Sequence, residues 1–221
     1  MSKILFVVTS HARIDENHAT GLWLGEFTIP YAIFQAGGIE CVVSSTHGGA
    51  VPIDPRSTEE AGTDRDARDR LDKTLALHEV GDALEYDAIF IPGGHGAMFD
   101  LAASVPLKTL LSEFDAQGKI VASVCHGPAA FVDAIRSGEP RTLVAGRTLT
   151  CFTDAEERAT GLADSMPFLL ATKLREQGAT VVESANWKEH VEVDGTWITG
   201  QNPQSSAGAA RAVVEALRVR A

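Results

Sequence analysis

Cysteine is scarce in this chain, with three in 221 residues, and Cys41, Cys125 and Cys151 show no metal-ligand spacing. An odd, unclustered set argues against a disulfide framework and against a zinc site, and it fits free thiols in a reducing, cytoplasmic compartment. Basic side chains are also few: 19 Lys and Arg face 30 Asp and Glu, a formal charge of −11 at pH 7. That balance disfavours nucleic acid and anionic membrane as partners and leaves a small neutral molecule as the easier ligand. No apolar run approaches the roughly 20 residues of a membrane span, and the run over 3–9 is too short for a signal peptide. Repeats, low-complexity tracts and a phosphate-binding glycine fingerprint are missing too, so no nucleotide cofactor and no metal are expected.

What is present is an alternation of strand-like apolar runs with helix-like segments, the pattern of an α/β fold. Strands are predicted over 3–10, 40–44, 88–92, 119–124, 147–151 and 180–183, and helices over 26–36, 67–77, 106–117, 126–136, 167–177 and 207–219. Residues 46–66 carry Gly, Pro, Asp and Ser without periodicity and read as a surface insertion. Asp194-Gly195 between 191–193 and 196–198 predicts a hairpin, hence an antiparallel edge. The expected fold class is α/β, a flavodoxin-like sandwich: a mostly parallel sheet with helices on both faces and an antiparallel edge hairpin near 191–199.

The run Lys119-Ile120-Val121-Ala122-Ser123-Val124 stops abruptly at Cys125-His126-Gly127-Pro128. A nucleophile at such a strand-to-helix turn projects from the carboxyl edge of the sheet, with the next N–H groups at a helix start that favours negative charge. Cys125 is therefore read as an activated thiol, since only the thiolate attacks carbonyls well. His126 offers an imidazole suited to proton transfer and a backbone N–H that can face an oxyanion. Gly94, in Gly93-Gly94 at the end of the preceding strand, is the candidate for the second oxyanion donor. His11, His18, His47 and His78 read as surface histidines, Cys41 and Cys151 as core, and Trp23 and Phe152 as walls of a small pocket or as packing.

These residues resemble a known family. Ala88-Ile89-Phe90-Ile91-Pro92-Gly93-Gly94-His95-Gly96, Val124-Cys125-His126-Gly127-Pro128, the segment 150–157 and Gly200-Gln201-Asn202-Pro203 are similar to the ThiJ/PfpI superfamily, which has the class I glutamine amidotransferase-like fold. The insertion, the elbow and Phe152-Thr153-Asp154 look most like the heat-shock-protein-31-like glyoxalase III branch. The resemblance implies one domain over 1–221 with insertions around 46–85 and 153–166. It also implies a catalytic set of Cys125, His126 and Glu26, with an acidic partner for His126. Glu157 matches that partner by spacing, 31 residues beyond His126, and Asp154 is the alternative. The implied activity is that of a cofactor-independent lyase, glyoxalase III, converting the small dicarbonyl methylglyoxal to lactate without glutathione through a Cys125 hemithioacetal, in a homodimer. Alternatives at the same thiol are deglycation or another hydrolysis. Outside catalysis the alternatives are a holding chaperone or a redox sensor with an exposed, low-pKa cysteine.

Overall fold

A computed structural model describes residues 2–58 and 65–220, so part of the predicted insertion, 59–64, lies outside the described residues. The chain runs β1 (Lys3–Val8), α1 (Leu24–Ala36), β2 (Glu40–Ser45), α2 (Arg65–Asp69), β3 (Leu75–Ala76), β4 (Ala88–Ile91), α3 (Val105–Ala116) and β5 (Ile120–Val124). It continues with β6 (Thr148–Leu149), α4 (Asp154–Thr160), α5 (Leu170–Glu176), β7 (Thr180–Val181), β8 (Val191–Asp194), β9 (Trp197–Gly200) and α6 (Ser206–Arg220). Seven strands form one sheet in the order β3-β2-β1-β4-β5-β9-β8, every pair parallel except β8 with β9. The fold is thus the mostly parallel α/β sheet expected, with the antiparallel edge pair at the Asp194-Gly195 turn.

The central strands are apolar on both sides because helices cover both faces. In β1, Leu5 and Val7 face a core shared with α3 and α5, while Ile4, Phe6 and Val8 face a second core beneath α1 and α6. Phe6 anchors that second core, with its ring centroid 4.9 Å from Phe27 edge-to-face and 5.4 Å from Phe90. Its neighbours also include Tyr31 and Phe34. Phe6→Ala is expected to cost about 3–5 kcal/mol of stability, read from the urea unfolding midpoint at unchanged m-value.

Three predicted elements differ from what forms. The helix expected over 67–77 is confined to α2, because residues beyond it are drawn into the sheet edge. Thr74 exchanges both backbone hydrogen bonds with Gly49, and β3 pairs with Ser44 and Ser45 of β2. The helix expected over 126–136 is a 3-10 turn, Gly127–Phe131. Pro128 removes a donor there, and Gly127 lies so close to β4 that an added Cβ would come within 2.2 Å of the Ile91 carbonyl oxygen. The strand expected over 147–151 reduces to β6, which pairs with β7 in a separate two-stranded sheet. Beyond it the chain turns in, and Phe152 N–H donates to the Cys125 carbonyl at 2.9 Å. No described helix is long and apolar enough to cross a membrane.

Candidate active site

Parallel strands put their carboxyl ends along one edge, and β1, β4 and β5 all deliver residues there. Cys125 follows β5 with φ 59°, a left-handed conformation that costs a non-glycine residue on the order of 1–2 kcal/mol. The turn is held by its N–H donating to the Gly200 carbonyl at 2.9 Å and by the Phe152 N–H on its carbonyl. Cys125 is buried, with 2% of its surface exposed, yet it lines a cavity of about 420 Å³. Trp23, Arg56, His95, His126, Phe152, Thr160, Trp187, Pro203 and Gln204 complete the walls. Trp23 and Phe152 are therefore pocket walls, and the His126 ring stacks 4.3 Å from the Phe152 ring.

The His126 Nδ1 lies 3.3 Å from the Cys125 sulfur, and its Nε2 lies 2.6 Å from Glu157 Oε2. Glu157 stands on α4, which starts on a capping box between Thr153 and Glu156. Asp154, its competitor in the sequence, faces elsewhere and accepts from the Thr172 hydroxyl at 2.5 Å on α5. The other Glu157 oxygen, Oε1, lies 2.9 Å from His95 Nε2. Desolvation pushes the Glu157 carboxyl up, but the two imidazoles outweigh it and hold the group well below the usual carboxylate range.

Glu26 reaches the thiol from the first turn of α1. It is fully buried, and Gly93 N–H donates to its Oε2 at 2.7 Å. Burial raises its carboxyl from 4.5 to about 8, against the Cys125 thiol and the Gly93 N–H, which pull the other way. At neutral pH it therefore carries a proton. Among the described residues its Oε1 meets no N–H or O–H group and is left to the neighbouring thiol.

The thiol itself is pushed well above its ordinary value of 9.0, by burial first and then by the Glu26 carboxyl as that group ionises. Burial thus works against the thiolate that the strand-to-helix turn was expected to favour. A five-residue 3-10 turn follows the elbow instead of an α-helix, so little dipole offsets the loss of water. Burial also runs against the exposed thiol on which the redox-sensor alternative was drawn. The backbone N–H groups of His126 and Gly94 do act on the sulfur in the opposite sense. Gly94 has φ 96°, and a Cβ there would meet Gly21 O at 2.2 Å and Trp23 N at 2.6 Å, so the N–H can be presented only by glycine.

Three residues were not assigned to the site from the sequence: His95 and Glu156, which are buried, and Arg56, whose side chain is 41% exposed. His95 sits in the Gly93-Gly94-His95-Gly96 turn, where its place at the catalytic sheet edge was the available signal. Arg56 comes from the insertion, where no local pattern marks it. Its Nη2 lies 3.1 Å from His95 Nδ1, and its Nε and Nη2 donate to both oxygens of buried Asp54. Glu156 explains the Gly200-Gln201-Asn202-Pro203 motif. Its Oε1 accepts from Trp187 N–H at 2.8 Å, Asn202 Nδ2 at 2.9 Å and Gln201 Nε2 at 3.2 Å. Neutral donors thereby satisfy a buried carboxylate and fix the cavity wall at Trp187.

His95, His126 and Glu157 place one ligand atom each within 4.8 Å, a grouping that can attract a divalent metal. Both carboxylate oxygens are already engaged by imidazole nitrogens, so a metal would have to displace two protons. Of the four histidines read as surface groups, His18, His47 and His78 are exposed and His11 stacks on Phe99. The three cysteines are free and buried.

Comparison with known proteins places these features in context. Residues 19–216 match the DJ-1/PfpI family. The glutathione-independent glyoxalase hsp3101 of Schizosaccharomyces pombe is 32% identical, over 96% of this chain and 95% of that protein. The crystal structure of glyoxalase III from Candida albicans superposes with a TM-score of 0.89 at 28% identity, covering 97% of both chains. Another crystal structure superposes over the full length of both chains with a TM-score of 0.95 at 45% identity.

Proposed function

The chain belongs to the DJ-1/PfpI family, and from that premise we propose that it is a glutathione-independent glyoxalase, converting methylglyoxal and water to lactate at Cys125. The observation that carries this reading is a buried thiol flanked by a base and an acid. His126 Nδ1 stands 3.3 Å from the sulfur on one side, and the protonated Glu26 carboxyl adjoins it on the other. The glyoxalase names of the relatives supply the substrate class.

Aldehyde entry makes deprotonation productive: His126 Nδ1 takes the thiol proton as sulfur bonds to the aldehyde carbon, giving a hemithioacetal. The N–H groups of Gly94 and His126 stabilise the negative charge that collects on the former carbonyl oxygen. Glu157 stabilises the imidazolium so formed, because its carboxylate accepts the Nε2 proton. The hemithioacetal carbon then gives up its proton while the adjacent ketone oxygen gains one, forming an enediol, and reprotonation at the second carbon leaves a lactyl thioester. Glu26 and His126 are the two groups placed to move these protons. Water cleaves the thioester, releasing lactate and the free thiol. Electrons balance within the substrate, as one carbon is oxidised and its neighbour reduced.

Purified protein incubated with methylglyoxal and no thiol is expected to accumulate lactate stoichiometrically with methylglyoxal loss. Mass spectrometry of a rapidly quenched sample is expected to find the lactyl group on the peptide containing Cys125. Loss of methylglyoxal without lactate would overturn the reading.

A further inference from the structure

The steps above leave His95 and Arg56 without a task, although both line the cavity. A guanidinium donates five N–H bonds and accepts none, so its contacts fix the direction of every hydrogen bond downstream. Arg56 Nη2 approaches His95 Nδ1 at 3.1 Å, and that contact is a hydrogen bond only if Nδ1 carries a lone pair. The ring proton of neutral His95 then sits on Nε2 and is donated to Glu157 Oε1. With one oxygen so taken, Glu157 receives His126 Nε2–H on the other. The nitrogen of His126 that remains unprotonated is Nδ1, the one facing the thiol.

We propose that Arg56, acting through His95 and Glu157, is a positioning residue that fixes the tautomer of His126 so that Nδ1 is the base. The proposal rests on the reading of Cys125 and His126 as nucleophile and base. If Arg56 were absent, His95 Nδ1 could hold the proton and its Nε2 would accept from a protonated Glu157. That carboxyl would then be neutral and would no longer stabilise an imidazolium on His126. Burial, aided by the neighbouring His126 and Arg56 side chains, lowers His95 to about 4, so the ring stays neutral at the pH of interest.

Arg56 is itself held rigidly. Asp54 is fully buried, accepts from Arg56 Nε at 2.9 Å and Nη2 at 2.6 Å, and also takes the Thr20 hydroxyl at 2.9 Å. Asp54 N–H donates to Leu22 O, and Leu24 N–H to Ser57 Oγ, which stitches this loop to the entry of α1. The insertion that looks like surface decoration in the sequence thus delivers the first member of the relay. The titratable and charged groups around the two rings are Cys125, Glu26, Glu157, Arg56 and Asp54.

The test compares wild type with Arg56→Met, Arg56→Lys and His95→Phe, using nitrogen-15 shifts of the imidazoles and the pH profile of kcat/KM for methylglyoxal. In wild type both rings are expected to carry their proton on Nε2. In Arg56→Met the His95 ring becomes a mixture of tautomers, and Arg56→Lys restores the Nε2–H form. His95→Phe leaves the Arg56–Asp54 pair intact and removes one donor from Glu157. The freed carboxylate binds the His126 proton more tightly, so the acid limb of the profile moves up by about one pH unit. The kcat at pH 7 falls about ten-fold with KM nearly unchanged, the scale of one lost hydrogen bond to a charged group.

Unchanged imidazole spectra in folded Arg56→Met would overturn the proposal. If Arg56→Met fails to fold, an unmoved acid limb in His95→Phe does so instead. Because the spectra need no turnover, they decide the relay even if wild type makes no lactate. A protein that makes lactate while Arg56→Met keeps its tautomers sinks the relay alone.

Discussion

Cys125→Ala is expected to lower glutathione-free lactate formation by on the order of 10⁴-fold or more, to the level of an empty reaction, because Cys125 supplies the only thiol among the cavity-lining residues. His126, Glu26 and Glu157 act only on protons, and without the sulfur no intermediate exists for them to act upon. The substitution is also mild structurally. Alanine keeps the Cβ and the φ of 59° that the elbow imposes, and the two backbone bonds to Gly200 and Phe152 do not involve the side chain. The loss is one buried sulfur, worth about 1 kcal/mol. Circular dichroism and a melting curve close to wild type, together with absent lactate by enzymatic assay, are the expected pair of results. Substantial residual lactate from a homogeneous variant would remove Cys125 from the reaction.

Glu26→Gln is expected to reduce kcat about 10²–10⁴-fold, the usual range for loss of a positioned acid or base, while methylglyoxal still adds to the thiol. Glutamine fits the space and can accept from Gly93 N–H, but it cannot exchange a proton between two carbons. The same substitution changes how stability follows pH. The folded carboxyl titrates near 8 and the unfolded one near 4.5, so between those values the folded state binds more protons. Wild-type stability therefore falls as pH rises from 4.5 to 8 by this group's contribution, which is fully present below 4.5. The glutamine variant lacks that contribution to the slope. Its melting temperature is expected to gain on wild type steadily from pH 5 to pH 8, and a constant gap over that range would show that Glu26 is not protonated in the folded protein.

The framework was legible in the sequence because the signals were local. The buried runs around Leu5, Ile89 and Val121, the Asp194-Gly195 turn and the abrupt stop at Cys125 each fix their element without reference to the rest of the chain. Glu26, His126 and Glu157 were reachable through the motif resemblance, and the structure sets Glu26 and His126 beside the thiol with Glu157 behind His126. What the sequence did not disclose depends on tertiary contact. Residues 70–77 have helical periodicity, but the open edge of β2 recruits them. The upward pull on the Cys125 thiol comes from burial and from Glu26, 99 positions away along the chain. Arg56 lies in an aperiodic loop whose role appears only when Asp54 and His95 are seen beside it.

The Arg56–Asp54 pair has one more consequence, which concerns how long the protein lasts. A deprotonated guanidine nitrogen adds to the electrophilic carbons of a dicarbonyl, and this arginine faces the chamber in which such reagents would be gathered. Hydrogen bonding and charge from Asp54 raise its pKa further above the ordinary guanidinium value and commit Nε and Nη2 to the carboxylate. Its reactive form is thereby suppressed where the side chain lines the cavity. An enzyme that consumes a glycating agent is built so that its own chamber wall ages slowly.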